Sequence, residues 1–388
     1  MKLAVYAIAR NEIANVESWY KNMKSADGVF VLVNGSGDGT QDKLRELGAT
    51  VEVFGEAECQ TRGLYIKIDG KFYPNLGALR NKALGMVPDD FDICVPVDLD
   101  DRWSHDDWAN SVKKVWIPGR RPVLTGLVNP AEPDSIGAGT ARYNYTHNVS
   151  GAVADGSYTH DRIHSRHGWR WTGYAHEWLT EIEGYTRGMS VTLDADTYQF
   201  AFGPHRYSAN YLPLLKKQAE HMPECARAAH YYGRELMYKG RWDEAITELK
   251  RHISLPDAFW GEERAASCRF ICRCYTAKKE YGAAWHWANK AVTECDTMRE
   301  PWVEAMRACV YLDNPHGVIF YGNGALGVKA RTGRYIEEAE AWGYYPYEAL
   351  GWAYEKLGDR KAAAESYKQA ALITSEGNRF VAKLAEFV

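Results

Sequence analysis

Leu3–Thr40, LAVYAIARNEIANVESWYKNMKSADGVFVLVNGSGDGT, decides the fold class of the first half of the chain. Leu3–Ala9 is an apolar run of strand length. Ala14–Met23 sets Val16, Trp19, Tyr20 and Met23 at i, i+3, i+4 and i+7, which is one face of a helix. Val29–Val33 reads as a second strand and runs into Asn34-Gly35-Ser36-Gly37-Asp38-Gly39-Thr40, too rich in glycine for a regular element. Working outward, Gln41–Leu47 is a short helix stopped by Gly48, and Val51–Phe54 is a third strand. Leu76–Met86 is a helix, and Asp92–Val97 is a fourth strand that ends in Asp98-Leu99-Asp100-Asp101. This alternation predicts an α/β, Rossmann-like, mainly parallel sheet with helices on both faces. Ligands of such sheets bind beyond the carboxyl ends of the strands. Arg10-Asn11-Glu12, the glycine loop and the aspartates all fall at those ends.

The remainder is different in kind. Residues 105–205 are irregular, rich in Pro and Gly around Ile117–Pro133 and then dense in His, Arg and aromatic residues. From Arg206 the pattern becomes helical. Tyr232-Gly233…Leu236…Gly240-Arg241…Ala245 parallels Leu350-Gly351…Tyr354…Gly358-Asp359…Ala362, and Ala265–Ala291 fits between them. Small residues where paired helices cross, with a turn between the helices, are the tetratricopeptide pattern. Two domains are therefore expected, 1–205 and 206–388, the second an all-α solenoid; Pro315–Arg334, with Gly317, Gly322, Gly324 and Gly327, reads as a degenerate repeat.

Bulk properties narrow the function. The 388 residues carry 47 Lys+Arg against 51 Asp+Glu, and neither half has the strong positive field of an obligate nucleic-acid binder. The apolar runs are too short to span a bilayer, and Met1 leads straight into a strand, so no membrane insertion and a cytoplasmic location are expected. For a phage-encoded chain that location is the host cytoplasm. The spacing of Cys268, Cys272 and Cys274 does not converge on one tetrahedral metal, and they read as small buried hydrophobes.

The aspartates carry the sharpest chemical signal. Carboxylates at i and i+2 past a strand end can present one group to a ribose and one to a divalent cation, which offsets the charge of a departing diphosphate. Ala7-Ile8-Ala9-Arg10-Asn11-Glu12, the Asn34–Thr40 loop, Leu79-Arg80-Asn81-Lys82-Ala83 and Val97-Asp98-Leu99-Asp100-Asp101 follow one another in that order. Together they resemble the donor half of family-2 glycosyltransferases with the GT-A fold. Trp171-Thr172-Gly173-Tyr174-Ala175-His176-Glu177 is similar to a segment of the subgroup with a tetratricopeptide tail, which includes peptide S-glycosyltransferases and bacterial and phage proteins.

The resemblance implies a metal-dependent, inverting transfer of a hexose, glucose first, from a nucleotide sugar such as UDP-glucose to a hydroxyl or thiol. The macromolecular acceptor would be a peptide, a glycan, or a hydroxymethylpyrimidine of phage-type DNA. It implies that Ala9, Arg10 and Glu12 border the base, Asn34 and Asp38 the nucleoside, and Arg80 the diphosphate or base. Asp98, with Leu99, would face the ribose and sugar. Asp98 and Asp100 would hold Mn²⁺ or Mg²⁺, with His205 as a third ligand. Asn34 replaces the aspartate usual in that family. Glu177 is the expected general base, with His176 second. Arg162, Arg166, Trp169 and Trp171, interleaved basic and aromatic residues, are the expected acceptor contacts and the place where nucleic acid would bind. A different class of function is an inactive scaffold whose repeats bind a protein partner.

Overall fold

The computed structural model describes residues 1–116, 135–146, 154–183, 186–200, 211–374, 380 and 383–384, with backbone alone for 135–146, 154–162 and 186–200. The chain divides into two compact units, Met1–Leu214 and Leu215–Val388. The boundary expected between 205 and 206 lies outside the described residues.

The first unit begins with β1 (Leu3–Ala9), α1 (Ile13–Met23), β2 (Gly28–Asn34), α2 (Thr40–Leu47) and β3 (Thr50–Phe54). Next come α3 (Glu56–Thr61), the hairpin β4 (Tyr65–Ile68) and β5 (Lys71–Pro74), α4 (Leu76–Leu84) and β6 (Ile93–Pro96). β7 (Asp101–Trp103) and α5 (Trp108–Val115) precede three long strands, β8 (Ser135–Thr146), β9 (Ala154–Ser165) and β12 (Thr186–Phe200). A second hairpin, β10 (Trp169–Thr172) and β11 (Trp178–Glu181), lies between β9 and β12 in the chain. The main sheet runs β3-β2-β1-β6-β9-β8-β12-β7. β1, β2, β3 and β6 are mutually parallel, whereas β9 is antiparallel to β6 and β8, and β7 is antiparallel to β12. The sheet is therefore mixed, not mainly parallel, and residues 135–200 supply long strands where irregular chain is expected. Their runs of Gly, Thr, Ser and Asp hide the apolar alternation that marks a half-buried strand.

Strand periodicity builds two cores. Leu3, Val5, Ala7 and Ala9 point with Val29, Val31 and Val33 to one face, against Val16, Trp19 and Met23 of α1 and Trp108 and Val112 of α5. Ala4, Tyr6, Phe30 and Leu32 point to the other, against Leu79, Ala83 and Leu84 of α4. Because the side-chain period is two, a one-residue slip in β1 would exchange the two sets, and this fixes the register. The parallel half has helices on both faces, as expected.

α6 (Leu212–His221) leads to α7 (Ala226–Tyr238), α8 (Trp242–Ser254), α9 (Gly261–Ala277) and α10 (Tyr281–Glu294). α11 (Arg299–Tyr311), α12 (Pro315–Gly327), the single turn α13 (Ala339–Trp342), α14 (Tyr345–Lys356) and α15 (Arg360–Ile373) complete the second unit. Four hairpins share one turn. Gly240, Lys279, Asp313 and Gly358 have φ of 72°, 63°, 51° and 76°. In each turn the next amide bonds back to a carbonyl of the preceding helix at 2.9 Å: Arg241 to Leu236, Glu280 to Tyr275, Asn314 to Cys309 and Asp359 to Tyr354. This is the Schellman closure of a helix end by a left-handed residue. Five positions after each turn residue, Ala245, Ala284, Val318 and Ala363 are fully buried at the helix crossing. The degenerate repeat expected at Pro315–Arg334 is corrected in its first half. Pro315–Gly327 is a regular helix whose Gly324 lies against Trp302, where a Cβ would be 2.2 Å from the ring. Cys268, Cys272 and Cys274 are free and buried, as expected.

Candidate active site at the carboxyl ends of the parallel strands

The two loops that follow β1 and β2 are tied to each other. The Asp38 carboxylate accepts from Ile13 N at 3.0 Å and from Thr40 N at 3.0 Å, so one side chain closes the starts of both α1 and α2. Asn11 N donates to Ser36 Oγ at 2.9 Å, and Gly37 N donates to Asn11 Oδ1 at 2.9 Å. Burial acts to raise the Asp38 carboxyl, but the hydrogen bonds it accepts outweigh burial and hold it below its ordinary value. Beside this pair of loops, Arg10 donates to Tyr65 Oη at 3.2 Å and pairs with Glu56. Asn34 Nδ2 donates to the same Tyr65 oxygen at 3.2 Å. Arg10 and Asn34 thus meet at the ends of neighbouring strands, as expected. Tyr65 and Glu56 belong to that cluster without any motif in the sequence to mark them.

At the end of β6, oxygens of Asp98, Asp100 and Asp101 lie within 4.8 Å of one another. Asp100 and Asp101 are buried, and the turn is pinned by Asp101 N donating to Asp98 O at 2.9 Å. Arg102 braces it from behind, donating to Leu99 O at 2.8 Å and to Asn15 O of α1 at 3.1 Å. Burial pulls the Arg102 guanidinium down to about 10. Three carboxylates of this kind are the hard-oxygen set that suits Mg²⁺ or Mn²⁺. Asp101 joins the set beyond the expected Asp98 and Asp100.

Arg80 connects this turn to the expected base. Its Nη1 and Nη2 bond Asp98 at 2.9 and 3.0 Å, and its Nε donates to Glu177 Oε1. The guanidinium plane also covers the Trp171 ring at 5.1 Å. Burial works against the charge, but Asp98 and Glu177 outweigh it, and Arg80 is held well above its ordinary value.

Glu177 reaches Arg80 because α4 carries the whole 171–177 segment. Asn81 exchanges two 2.8 Å hydrogen bonds with the Trp171 backbone. Leu76 N and Gly77 N donate to Tyr174 O and Gly173 O at 3.0 and 3.1 Å. A Cβ on Gly77 would be 2.4 Å from Gly173 O, so the close approach requires glycine. Gly173 and His176 have φ of 97° and 51°, the second a left-handed non-glycine residue beside the site.

The other expected residues divide. Ala9, at the end of β1, and Leu99 are buried, which leaves neither side chain exposed for a donor. Glu12 accepts from Asn15 Nδ2 at 2.6 Å. The His176 ring lies 5.6 Å from that of Tyr211. His205 and the Arg162 side chain lie outside the described residues. Trp169, Trp171 and Arg166, the expected acceptor contacts, are engaged within the fold. The two indoles are only 4% and 6% exposed, so each presents almost no ring surface to solvent. Trp171 Nε1 donates to Tyr6 Oη at 2.7 Å, and Arg166 spends its guanidinium on Val87 O at 2.9 Å and Asp89 at 3.3 Å. Arg166, Trp169 and Trp171 thus tie the β9–β10 turn into the fold.

No protein-family model matches the chain, and no curated protein matches it. Solved structures similar to it include MamA, at 18% identity over 44% of this chain and 89% of that one, with a TM-score of 0.35. Cut9 in the APC/C hetero-tetramer Cut9–Hcn1 matches at 16% identity over 45% and 32%, with a TM-score of 0.35. PilF of Pseudomonas aeruginosa matches at 15% over 44% and 71%, again at 0.35. These are tetratricopeptide-repeat proteins matching the C-terminal helical part, and none of them is a glycosyltransferase. The expected membership of the family-2, GT-A glycosyltransferases is accordingly corrected. What stands is an α/β unit with a mixed sheet followed by a helical-repeat unit.

Proposed function

We propose that the first unit transfers a hexose from a nucleotide sugar, with help from a divalent cation, to a hydroxyl or thiol of a macromolecule. The observation that carries this reading is the chain of contacts from Asp98, Asp100 and Asp101 through Arg80 to Glu177 at the ends of β1 and β6. Mn²⁺ or Mg²⁺ held by these carboxylates would offset the charge that grows on the departing diphosphate. Arg10, Asn34 and Tyr65 would flank the nucleoside, one strand further along the sheet. Arg80 binds Glu177 through Oε1, which leaves Oε2 to take the proton of the acceptor as its oxygen or sulfur attacks the anomeric carbon. The bond to the diphosphate oxygen breaks as the new glycosidic bond forms. The buried Arg80 keeps both carboxylates in place without solvent rearrangement, the kind of preorganisation that lowers barriers. Glu177→Gln keeps the shape and removes the basic lone pair. Donor affinity should persist while manganese-dependent turnover of the nucleotide sugar falls by about two to four orders of magnitude. Equal turnover in the variant removes Glu177 from the chemistry. No turnover of any donor by the unmodified chain favours the inactive scaffold.

A further inference from the structure

Residues 328–344, between α12 and α14, form a strap, irregular as far as Ile336, a short strand at Glu337–Glu338, and then a single turn through α13. The strap crosses the first helices of three hairpins in order. Tyr335 Oη lies 2.6 Å from His230 Nε2 on α7. Glu338 pairs with Arg269 at 3.0 Å and with Arg273 at 2.6 Å, both on α9. Glu340 pairs with Arg307 on α11 at 2.8 Å. Glu300, also on α11, accepts from Glu338 N and from Trp342 Nε1 at 3.0 Å each. The face that would receive an extended partner in a stack of helical hairpins is covered by the chain itself.

Charge recognition dominates this contact. Its repeated feature is an arginine from the helices against a glutamate from the strap, with one reversed pair, Arg334 of the strap on Glu262 of α9 at 3.2 Å, and with Tyr335 and Ala341 as the buried strap side chains of low polarity. Desolvation offsets most of the Coulombic gain of such pairs, so they select a partner more than they stabilise it. A competitor that offers the same groups re-forms the same pairs, and exchange then costs little net free energy. We infer that the strap is an intramolecular ligand, and that the first-helix face accepts in its place an extended acidic peptide. That peptide would carry an aromatic residue with carboxylates three and five positions later, the spacing of Tyr335, Glu338 and Glu340. Arg269, Arg273 and Arg307 read the carboxylates, and His230 reads the aromatic hydroxyl.

A labelled synthetic peptide of residues 331–342 tests this against the full chain and against the double variant Glu338→Gln/Glu340→Gln, which loosens the strap without touching the face. The variant should bind the peptide at least about tenfold more tightly than the unmodified chain, read by fluorescence anisotropy. Hydrogen exchange on the unmodified chain gives a second readout that needs no variant. Strap amides should open at least about tenfold more often than those of α9, as a unit separate from global unfolding. Equal protection of the strap and α9 overturns the inference, as does equal peptide binding by the folded variant and the unmodified chain.

Discussion

Arg80 shows how one side chain can organise a site. Its fork satisfies Asp98 with two donors and Glu177 with a third, so a carboxylate of the Asp98–Asp101 cluster and that of Glu177 share one buried cation. A lysine would offer no planar fork and could not serve both. On the opposite edge of Trp171, His164 does related work without charge. Its Nδ1 donates to Ser165 O at 2.8 Å, so Nε2 accepts the hydrogen bond that the Tyr6 hydroxyl donates at 2.8 Å. Tyr6 Oη in turn accepts from Trp171 Nε1. Burial pulls the imidazole down to about 4. The folded state therefore prefers neutral His164, and the unfolded chain takes up a proton first. The contribution is fully present above about pH 6.5 and is lost as pH falls towards 4, worth up to about 3 kcal/mol. Urea unfolding at stepped pH should show His164→Gln with a shallower loss over that window than the unmodified chain. Parallel curves would mean that His164 is charged in the fold.

At the scale of elements, α4 is the part that assembles the site, since it carries Arg80 and holds the 171–177 segment through Gly77 and Asn81. Gly77→Ala places a methyl against a backbone oxygen that cannot move alone. It should cost about 1–3 kcal/mol and shift Glu177 off Arg80. Gly55→Ala, with nothing within 4 Å of the new Cβ, is the matched control. Differential scanning calorimetry and donor turnover should fall together in the first variant and in neither measure in the second. The hairpin turns permit an opposite change. Lys279 occupies the left-handed position that Gly240 and Gly358 hold elsewhere, so Lys279→Gly should stabilise the second unit by up to about 1 kcal/mol. A lower midpoint would show that the Lys279 side chain matters more than its backbone strain. Elements of this kind were legible in the sequence where the apolar period was plain, as in β1, α1, β2 and the paired helices. The Asp98–Asp101 turn and the proximity of Arg10 to Asn34 follow directly from such strands. β8, β9 and β12 were not legible, because polar and small residues fill them. Nor was the burial of Trp169 and Trp171: composition marks an indole as sticky but does not say whether it meets a ligand or the core. Tyr65 joined the site through tertiary proximity alone, whereas Asp101 was marked by its place in the aspartate run.

The whole molecule joins an α/β unit with a candidate donor site to a helical-repeat unit whose first-helix face is covered by its own strap. Among the described residues no helix is long and apolar enough to cross a membrane. Acid should loosen the second unit through its buried carboxylates. For Glu338 burial acts upward, but Arg269 and Arg273 outweigh it and hold the group down at about 2. The proposed function requires that the carboxylates after β6 bind a nucleotide sugar through a divalent cation. The most direct test is the thermal midpoint of the full chain against a panel of nucleotide sugars, with and without Mn²⁺, beside Asp100→Asn. A ligand that binds only the folded state stabilises it by about 2.7 kcal/mol at a hundredfold excess over its Kd. At least one donor should raise the midpoint in a manganese-dependent way, and Asp100→Asn should fold normally and lose that rise. A rise that is independent of manganese, a rise that survives in Asp100→Asn, or no rise with any donor would rule out cation-mediated donor binding at this turn.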